Sequence, residues 1–432
     1  MHGFQYQEGK LHCEEVSIQA IAETHGTPLY VYSANTIRDH FNRLDQALAE
    51  LDHHVAYAVK ANSNIAILNL LAKEGAGFDI VSAGELFRVL EAGGKADQCT
   101  FAGVGKTDEE IRYAIDKGIY CFNVESEAEL RNINRIALLM DAVAPVALRV
   151  NPNVDAKTHK YISTGKSENK FGIDFDQIEA LYQTTADEMP GVSLRGLQMH
   201  IGSQLTTVAP FIEAIKKVGP LVEKLKAAHG IEFFSIGGGV GIVYDQALDS
   251  AKSDWWDKEA EELPLTIDAY ASQIVPLLAP LKLKIMLEPG RLIVGNAGAL
   301  VSKCLYHKNG TAKNFRIVDA GMNDLIRPAL YQGHHEIVPV TSRENSEKLS
   351  IDVVGPICES GDFFSQDREM ENFQEGDLIA LLSSGAYGFT MASNYNSRPM
   401  AAEVLVDGDS AHLIRARQSF EDLIKGESIP QS

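Results

Sequence analysis

The chain of 432 residues is longer than one average domain, so two domains are expected, and its 45% apolar residues suit a globular protein. With 59 acidic and 39 basic residues, the formal net charge is −20, which argues against nucleic acid and anionic membranes as partners. Five scattered cysteines without a C-x-x-C pair argue against a disulfide framework and favour a reducing cytoplasm. The first residues lack an apolar signal core, and no apolar run approaches the ~18 residues of a membrane-spanning helix.

Eight short apolar or β-branched runs alternate with helical stretches between about residues 30 and 290. The runs are VAYAVK at 55, FDIVS at 78, CTFAG at 99, IYCFNVES at 119, VALRVN at 146, LRGLQMHIGS at 194, FFSIGGG at 233 and KIMLEPGR at 284. Strands that alternate with helices over ~250 residues are typical of a barrel of eight parallel strands. No G-x-G-x-x-G follows the first strand, which disfavours a doubly wound sheet. We therefore predict an α/β fold with a (β/α)8 TIM-type barrel at residues 30–285.

The remaining sequence has a different texture, with strand-like runs in quick succession and short turns between them. The runs are ALVSKCLYHK at 299, KNFRIVDAG at 313, HEIVPV at 335, LSIDVVG at 349, DLIALLSS at 377, AAEVLVD at 401 and AHLIRAR at 411. This pattern predicts an all-β domain, a barrel or a sandwich, at residues 286–432. Residues 1–29 do not fit the barrel rhythm, so we assign them to the β domain.

Polar residues that can carry chemistry follow four of the predicted barrel strands. A barrel of this type places its active site at the carboxyl ends of its strands, which form one rim. The polar residues are Lys60 after the first strand, His200 and Ser203 after the sixth, glycines 237–239 after the seventh, and Glu288 and Arg291 after the eighth. Their position at four strand ends indicates one shared site.

Each of these residues also has a purely structural interpretation. Lys60 is either a solvated strand end or a Schiff-base lysine, whose amine an apolar site can keep unprotonated. SIGGGVGI is either a tight turn or a loop whose backbone N–H groups approach a phosphate. His200 is either a core histidine or a flat neighbour of a cofactor ring. Glu288 either pairs with Arg291 or keeps a pyridine nitrogen protonated.

Taken together, a lysine, a glycine loop, a carboxylate and a flat aromatic neighbour fit pyridoxal 5'-phosphate. The His and acidic residues show no i, i+4 spacing of metal ligands, so no metal site is predicted. A barrel that binds sugars or phosphates without pyridoxal phosphate remains an alternative. An absorbance band at about 420 nm is expected from an enzyme with pyridoxal phosphate and would distinguish the two.

Several motifs together resemble the alanine-racemase-like barrel enzymes that use pyridoxal phosphate, and among them the decarboxylases of basic amino acids. They are AVKAN, HIGSQ, GGGVGI, EPGR, GPICESGD and SSGAYGFTM. The stretch NPNVDAKTHKYISTGKSENKFGI at 151–173 is similar to the branch that decarboxylates meso-2,6-diaminopimelate at its D centre to L-lysine, the last step of bacterial lysine synthesis. The resemblance runs from GTPLYVYS at 26 into the β domain.

The resemblance implies a role for individual residues. Lys60 carries the cofactor covalently, His200 stacks on its ring, and Glu288 binds the ring nitrogen. Cys358 is implied as the acid that protonates the carbon after CO2 leaves, although a free cysteine is more often a small buried hydrophobe. The phosphate is implied to lie among Ser203, Gly238, Gly239, Tyr387 and the backbone from Glu288 through Gly290 to Arg291. In this family Cys358 and Glu359 come from a partner subunit, which implies a homodimer with shared active sites completed by the β domain.

The distal end of the substrate separates the alternatives within the family. Arg291 and Arg327 can bind a distal carboxylate, which meso-diaminopimelate has and which ornithine and arginine lack. Glu359 is implied to bind the distal ammonium, with Tyr331 and Tyr387 beside the substrate. Arg327 is otherwise a surface arginine next to a proline.

Two further members of the same broad class are less favoured by the sequence. An amino-acid racemase needs an arginine at the pyridine nitrogen, where this chain has Glu288. A non-catalytic carrier of pyridoxal phosphate is typically shorter and lacks the β domain. We therefore predict a decarboxylase, with an ornithine or arginine decarboxylase as the main alternative.

Overall fold

The computed structural model describes residues 2–155, 170–258, 263–343 and 347–430. The chain forms two compact units. One contains Arg38–Ile242 and Glu259–Ile293, and is called the barrel unit below. The other contains Met1–Ile37, Val243–Lys258 and Val294–Ser432, and is called the β unit. These limits differ from residues 30 and 285, at which the sequence places the ends of the barrel.

The N-terminal residues form part of the β unit. Their elements are strands β1 (Phe4–Gln7), β2 (Lys10–Cys13) and β3 (Val16–Ser17), helix α1 (Ile18–His25) and strand β4 (Leu29–Ser33). β1–β3 form a small antiparallel sheet. β4 is buried along its whole length and pairs with residues 298–301 and 402–406. This pairing with strands that follow the barrel in the chain explains why the β unit extends beyond residue 29.

The barrel unit alternates strands and helices as the sequence predicts, and its first and last helices each extend across a limit of the unit. In chain order its elements are α2 (Ala34–Ala47), β5 (His53–Ala58), α3 (Ile65–Lys73), β6 (Gly77–Ile80), α4 (Ala83–Glu91), β7 (Cys99–Phe101), α5 (Asp108–Lys117), β8 (Cys121–Val124), α6 (Glu127–Leu139), β9 (Ala144–Asn151), β10 (Ile173–Asp174), α7 (Ile178–Glu188), β11 (Val192–Gln198), α8 (Ala209–His229), β12 (Phe233–Ser235), α9 (Ile267–Leu278), β13 (Lys284–Leu287) and α10 (Arg291–Val294).

The parallel strands close into a ring in the order β5-β6-β7-β8-β9-β11-β12-β13, and β13 pairs back with β5. Among the described residues this ring has eight strands, and β10 adds a short pairing to β9. The predicted eight-stranded barrel is therefore confirmed, and each of the eight predicted runs overlaps one of its strands.

Helix caps hold the loops at the carboxyl ends of several strands. Ser82 and Ser126 accept hydrogen bonds from backbone N–H groups of the first turns of α4 and α6. Thr107 and Glu110 form a capping box at the start of α5. Such caps satisfy N–H groups that a helix leaves unpaired at its beginning. As a result, the loops of this rim have defined positions from which side chains can act.

The C-terminal part of the β unit is rich in strands, which confirms the predicted β-rich domain. Its elements are β14 (Gly298–Asn309), β15 (Asn314–Val318), α11 (Arg327–Tyr331), β16 (Ile337–Pro339), β17 (Lys348–Val354), β18 (Phe363–Glu371), β19 (Leu378–Leu381), β20 (Ala402–Asp407), β21 (Ser410–Arg415) and α12 (Phe420–Leu423). The main sheet has the order β18-β17-β15-β14-β4-β20-β21. β18 is missing from the sequence prediction because its second half is charged and partly exposed.

No helix within the described part of the chain is both long enough and apolar enough to cross a membrane.

Candidate active site

Lys60 lies in a short turn directly after β5, at the rim of the barrel. Its Nζ atom is 2.9 Å from Oδ2 of Asp79, which comes from the neighbouring strand β6. The Asp79 side chain is 1% exposed, whereas that of Lys60 is 39% exposed. Lys60 is therefore more than a solvated strand end, because a buried carboxylate holds its amine at the rim.

Glu288 follows β13 and is buried, with its two carboxylate oxygens facing donors from three other strands. Ser235 Oγ and Asn123 Nδ2 donate to Oε1 at 2.7 Å and 3.3 Å. Gln198 Nε2 donates to Oε2 at 2.9 Å. Burial raises the pKa of Glu288, and the negative charge of Asp79 adds to this rise. The hydrogen bonds from Ser235 and Gln198 oppose it, because they favour the charged carboxylate.

The glycine loop after β12 packs directly against the chain after β13. A Cβ atom on Gly238 would lie 2.2 Å from the backbone oxygen of Glu288, so only glycine fits there without movement. Gly237 and Gly239 have φ values of 72° and 110°, in the region that favours glycine. The loop thus combines a tight turn with a close backbone approach, as the loops that bind phosphate in barrels do.

His200 and Ser203 follow β11 and contact the loops of the next two strands. The N–H of Gly238 donates to His200 Nδ1 at 3.1 Å, so the ring proton is on Nε2. Burial lowers the pKa of His200 well below its usual value, helped by the charges of Arg149 and Lys60, and the ring is neutral. Ser203 Oγ accepts a bond of 3.1 Å from Arg291 Nη2.

Gly290 lies between these loops and the start of the barrel. A Cβ atom there would be 2.9 Å from Cβ of Ala61 and 3.1 Å from that of Ala58. The residue before it, Pro289, accepts a hydrogen bond of 2.9 Å from the N–H of Ala58. The chain after β13 is therefore tied to the turn that carries Lys60.

Cys358 and Glu359 belong to the β unit, in the loop between β17 and β18. All five cysteines lie within the described residues, and Cys358 alone is exposed. Its N–H donates to Asn396 Oδ1 at 2.9 Å, and Tyr395 Oη donates to the carboxylate of Glu359. Exposure removes the interpretation of Cys358 as a small core residue.

Arg327 begins α11 in the β unit and is buried, so it is not a surface arginine. Its guanidinium lies over the ring of Tyr244 at 4.4 Å and donates to His335 Nε2 at 2.6 Å. Tyr331 ends the same helix and is half-buried. Tyr387, also half-buried, adopts a positive φ of 57° in the loop after β19.

Sequence reasoning does not identify four polar residues that the structure brings to the barrel site. They are Asp79, Asn123, Gln198 and Ser235. Each lies inside a run that the sequence assigns to a strand, and its signal is a polar residue among apolar neighbours on a strand buried on both faces. That signal marks candidates without naming their partners.

A family model described as "Pyridoxal-dependent decarboxylase, pyridoxal binding domain" matches residues 34–295. The match spans all eight strands of the ring, the glycine loop after β12 and the chain after β13 that carries Glu288. The fold and the match define the class of the protein, that of the pyridoxal-dependent decarboxylases.

Full-length relatives narrow this class. The chain is 47% identical to the diaminopimelate decarboxylase of Vibrio cholerae over 432 residues and 48% identical to that of Pseudomonas fluorescens over 431, and each match covers 99% of both proteins. The structure of the M. jannaschii diaminopimelate decarboxylase in co-complex with L-lysine matches with a TM-score of 0.90 and 38% identity, covering 100% of this chain and 99% of that one. The chain therefore belongs to the diaminopimelate decarboxylase family. Of the motif at 151–173, residues 156–169 lie outside the described residues.

Proposed function

We propose that this protein is a pyridoxal-phosphate-dependent carboxy-lyase that converts meso-2,6-diaminopimelate, at its D centre, to L-lysine and CO2. The observation that supports this most is the joint placement of Lys60, the glycine loop and Glu288 at the ends of β5, β12 and β13, which are neighbouring strands. The full-length relatives named above have the same activity in their names.

The residues of this rim fit pyridoxal 5'-phosphate. The glycine loop offers backbone N–H groups at a point where a side chain has no room, which suits a phosphate. Glu288 is a buried carboxylate, which suits a protonated ring nitrogen. The neutral imidazole of His200 suits the face of a flat ring.

The holding residues follow from this fit. Lys60 binds the cofactor covalently through Nζ, and Asp79 keeps that amine at the rim. Ser203, Gly238, Gly239, Gly290, Arg291 and Tyr387 hold the phosphate. When bound, the cofactor supplies an aldehyde for amines and a ring that accepts electrons.

Two groups of the chain manage the protons of the reaction. Glu288 holds the proton on the ring nitrogen, which favours loss of CO2. Cys358 donates the proton from Sγ to the carbon that has lost its carboxylate, and its exposure makes the thiol accessible for this role. We infer that Cys358 and Glu359 act in the site of a second copy, so that the protein works as a homodimer.

Selection of the substrate depends on its distal amino-acid group. Arg327 and Arg291 bind the distal carboxylate, and Glu359 binds the distal ammonium. Tyr331 and Tyr387 add contacts beside it. Stacking on Tyr244 and the bond to His335 give the Arg327 guanidinium a fixed orientation before substrate binds.

A cytoplasmic location agrees with five free cysteines.

The test measures CO2 released from meso-diaminopimelate, ornithine, arginine and lysine by the purified protein with pyridoxal phosphate. We expect release from meso-diaminopimelate at least about 100-fold faster than from the others, because loss of a bidentate carboxylate contact costs about 3 kcal/mol. Lys60→Ala should abolish turnover and the band near about 420 nm together. Equal rates with ornithine would overturn the substrate assignment.

A further inference from the structure

Six polar residues form a layer inside the barrel just below the rim, and we call them the polar layer. They are Asp79, Thr100, Asn123, Gln198, Ser235 and Glu288, on or directly after β6, β7, β8, β11, β12 and β13. Asp79 pairs with Thr100, and Gln198 pairs with Ser235, across neighbouring parallel strands. Paired residues of parallel strands point to the same face. The layer therefore surrounds Glu288 with polar groups from several strands.

Three members of the polar layer donate to Glu288, and together they serve both carboxylate oxygens. Ser235 and Asn123 reach Oε1, and Gln198 reaches Oε2. A carboxylate accepts hydrogen bonds at both oxygens and donates none, so three donors suit its charged form. The two amide NH2 groups cannot accept an O–H from a protonated carboxyl group, and among the three donors only the Ser235 hydroxyl could do so. The arrangement thus favours an ionised Glu288.

The side-chain amides of Asn123 and Gln198 donate to Glu288 while their own oxygens lack hydrogen-bond partners among the described residues. The amide oxygens Asn123 Oδ1 and Gln198 Oε1 are buried and have no hydrogen-bond partner within the described structure. A buried acceptor without a partner costs about 1–3 kcal/mol. Both amides nevertheless turn their NH2 groups towards Glu288. Their orientation is consequently explained by the carboxylate and by nothing else in the layer.

The need for these donors follows from the surroundings of Glu288. Burial and the nearby charge of Asp79 both disfavour a second negative charge in this interior. Without the donors Ser235 and Gln198, the pKa of Glu288 would rise further, and the neutral form attracts a protonated ring nitrogen less strongly than the carboxylate does.

We propose that Ser235, Gln198 and Asn123 are positioning residues that keep Glu288 ionised and oriented towards the ring nitrogen of the cofactor. This inference rests on the proposed function, because it requires that the ring nitrogen meets Glu288. It predicts that loss of one donor weakens cofactor binding only while residue 288 is a glutamate.

The test is a double-mutant cycle on cofactor affinity. Pyridoxal phosphate is removed from the holoenzyme and titrated back, and its dissociation constant is read from the absorbance band at about 420 nm. Ser235→Ala and Gln198→Met are each made in the wild-type and in the Glu288→Gln background. In the wild-type background we expect each variant to bind pyridoxal phosphate about tenfold more weakly, because it loses a hydrogen bond to a charged group. In the Glu288→Gln background we expect less than about a twofold change.

Thr100→Val is the matched control. It removes one hydroxyl from the polar layer, as Ser235→Ala does, but the Thr100 hydroxyl is buried with no hydrogen-bond partner in the described structure. We expect its affinity for pyridoxal phosphate to equal that of the wild type. A tenfold loss in Thr100→Val would overturn the proposal, since general disturbance of the layer would then explain the result.

The outcomes separate this inference from the proposed function. If Ser235→Ala and Gln198→Met weaken binding equally in both backgrounds, or in neither, the positioning role is wrong while the decarboxylase assignment stands. If the wild type fails to bind pyridoxal phosphate, the proposed function itself is overturned. If one variant does not fold, the cycle with the other decides.

Discussion

Gly238→Ala gives the most direct test of the glycine loop. The new Cβ atom would lie 2.2 Å from the backbone oxygen of Glu288, whereas an ordinary contact begins at 3.4 Å. One of the two backbones must therefore move by about 1.2 Å. The Glu288 N–H donates to Gly237 O at 2.9 Å, and such a movement would break this bond.

The expected loss has two parts. Overpacking of this kind costs about 1–3 kcal/mol of folding free energy, and we expect the upper end because both contacting atoms belong to backbone. Displacement of the loop should also weaken affinity for pyridoxal phosphate by at least about tenfold, because it moves the phosphate-binding N–H groups. Urea unfolding measures the first effect, and titration of the cofactor band measures the second.

Gly219→Ala is the control for the same chemical change. Gly219 lies within α8, and a Cβ atom there would have nothing within 4 Å. This variant should differ from the wild type in stability by less than about 1 kcal/mol, because the helix preference of alanine is opposed by the ring of Pro220, which disfavours helical backbone in a preceding residue that has a Cβ atom. If Gly238→Ala unfolds at the wild-type urea concentration and binds the cofactor normally, the close approach of the two loops is wrong.

Three further predictions concern single side chains. Burial raises the pKa of Glu85 from its usual 4.5 to about 7, so its contribution to stability is present below pH 4.5 and is lost as the pH rises through 7. Glu85→Gln should remove up to about 3 kcal/mol of this pH dependence in urea unfolding, and an unchanged profile would contradict it. Arg149→Met leaves Glu125, its buried partner at 2.6 Å, without a countercharge and should lower the free energy of unfolding by about 3–5 kcal/mol. Adding Glu125→Leu should restore most of this stability, and an equally unstable double variant would refute the reasoning. Cys358→Ala should keep the cofactor band but slow CO2 release about 100-fold or more, and normal turnover would remove the thiol from the reaction.

The barrel could be predicted because its signal is local and repeated. Each strand is a short apolar run that ends at a polar residue or a glycine, and this pattern recurs at every strand of the ring. Strand β18 shows the limit of such reasoning, because its charged second half has no alternation to mark it. Strand β4 shows another, since nothing near residues 29–33 reveals that their partners lie beyond residue 297.

The candidate site was predictable where one residue type has one chemical use. Lys60, the glycine loop and Glu288 stand out because lysine, glycine and glutamate at strand ends are unusual in an otherwise apolar pattern. The partners of these residues were not, because Asp79 meets Lys60, and Gln198 meets Glu288, only once separate strands pair side by side in the sheet. Contacts between strands depend on register and curvature, which single-strand patterns do not encode.

The pairing of β4 with β14 and β20 has a consequence for biosynthesis. All strands of the ring lie between residues 53 and 287, so they leave the ribosome together and can close before the β unit is complete. β4 emerges from the ribosome before them, yet Leu29 can pair with Ala402 only after residue 402 has been synthesised. At translation rates of about 5–20 residues per second, this delay is about 20–75 s. For that time the edge of β4 that pairs with β20 has no partner strand on the nascent chain, which makes this segment of mostly large apolar side chains a natural binding site for a chaperone during synthesis.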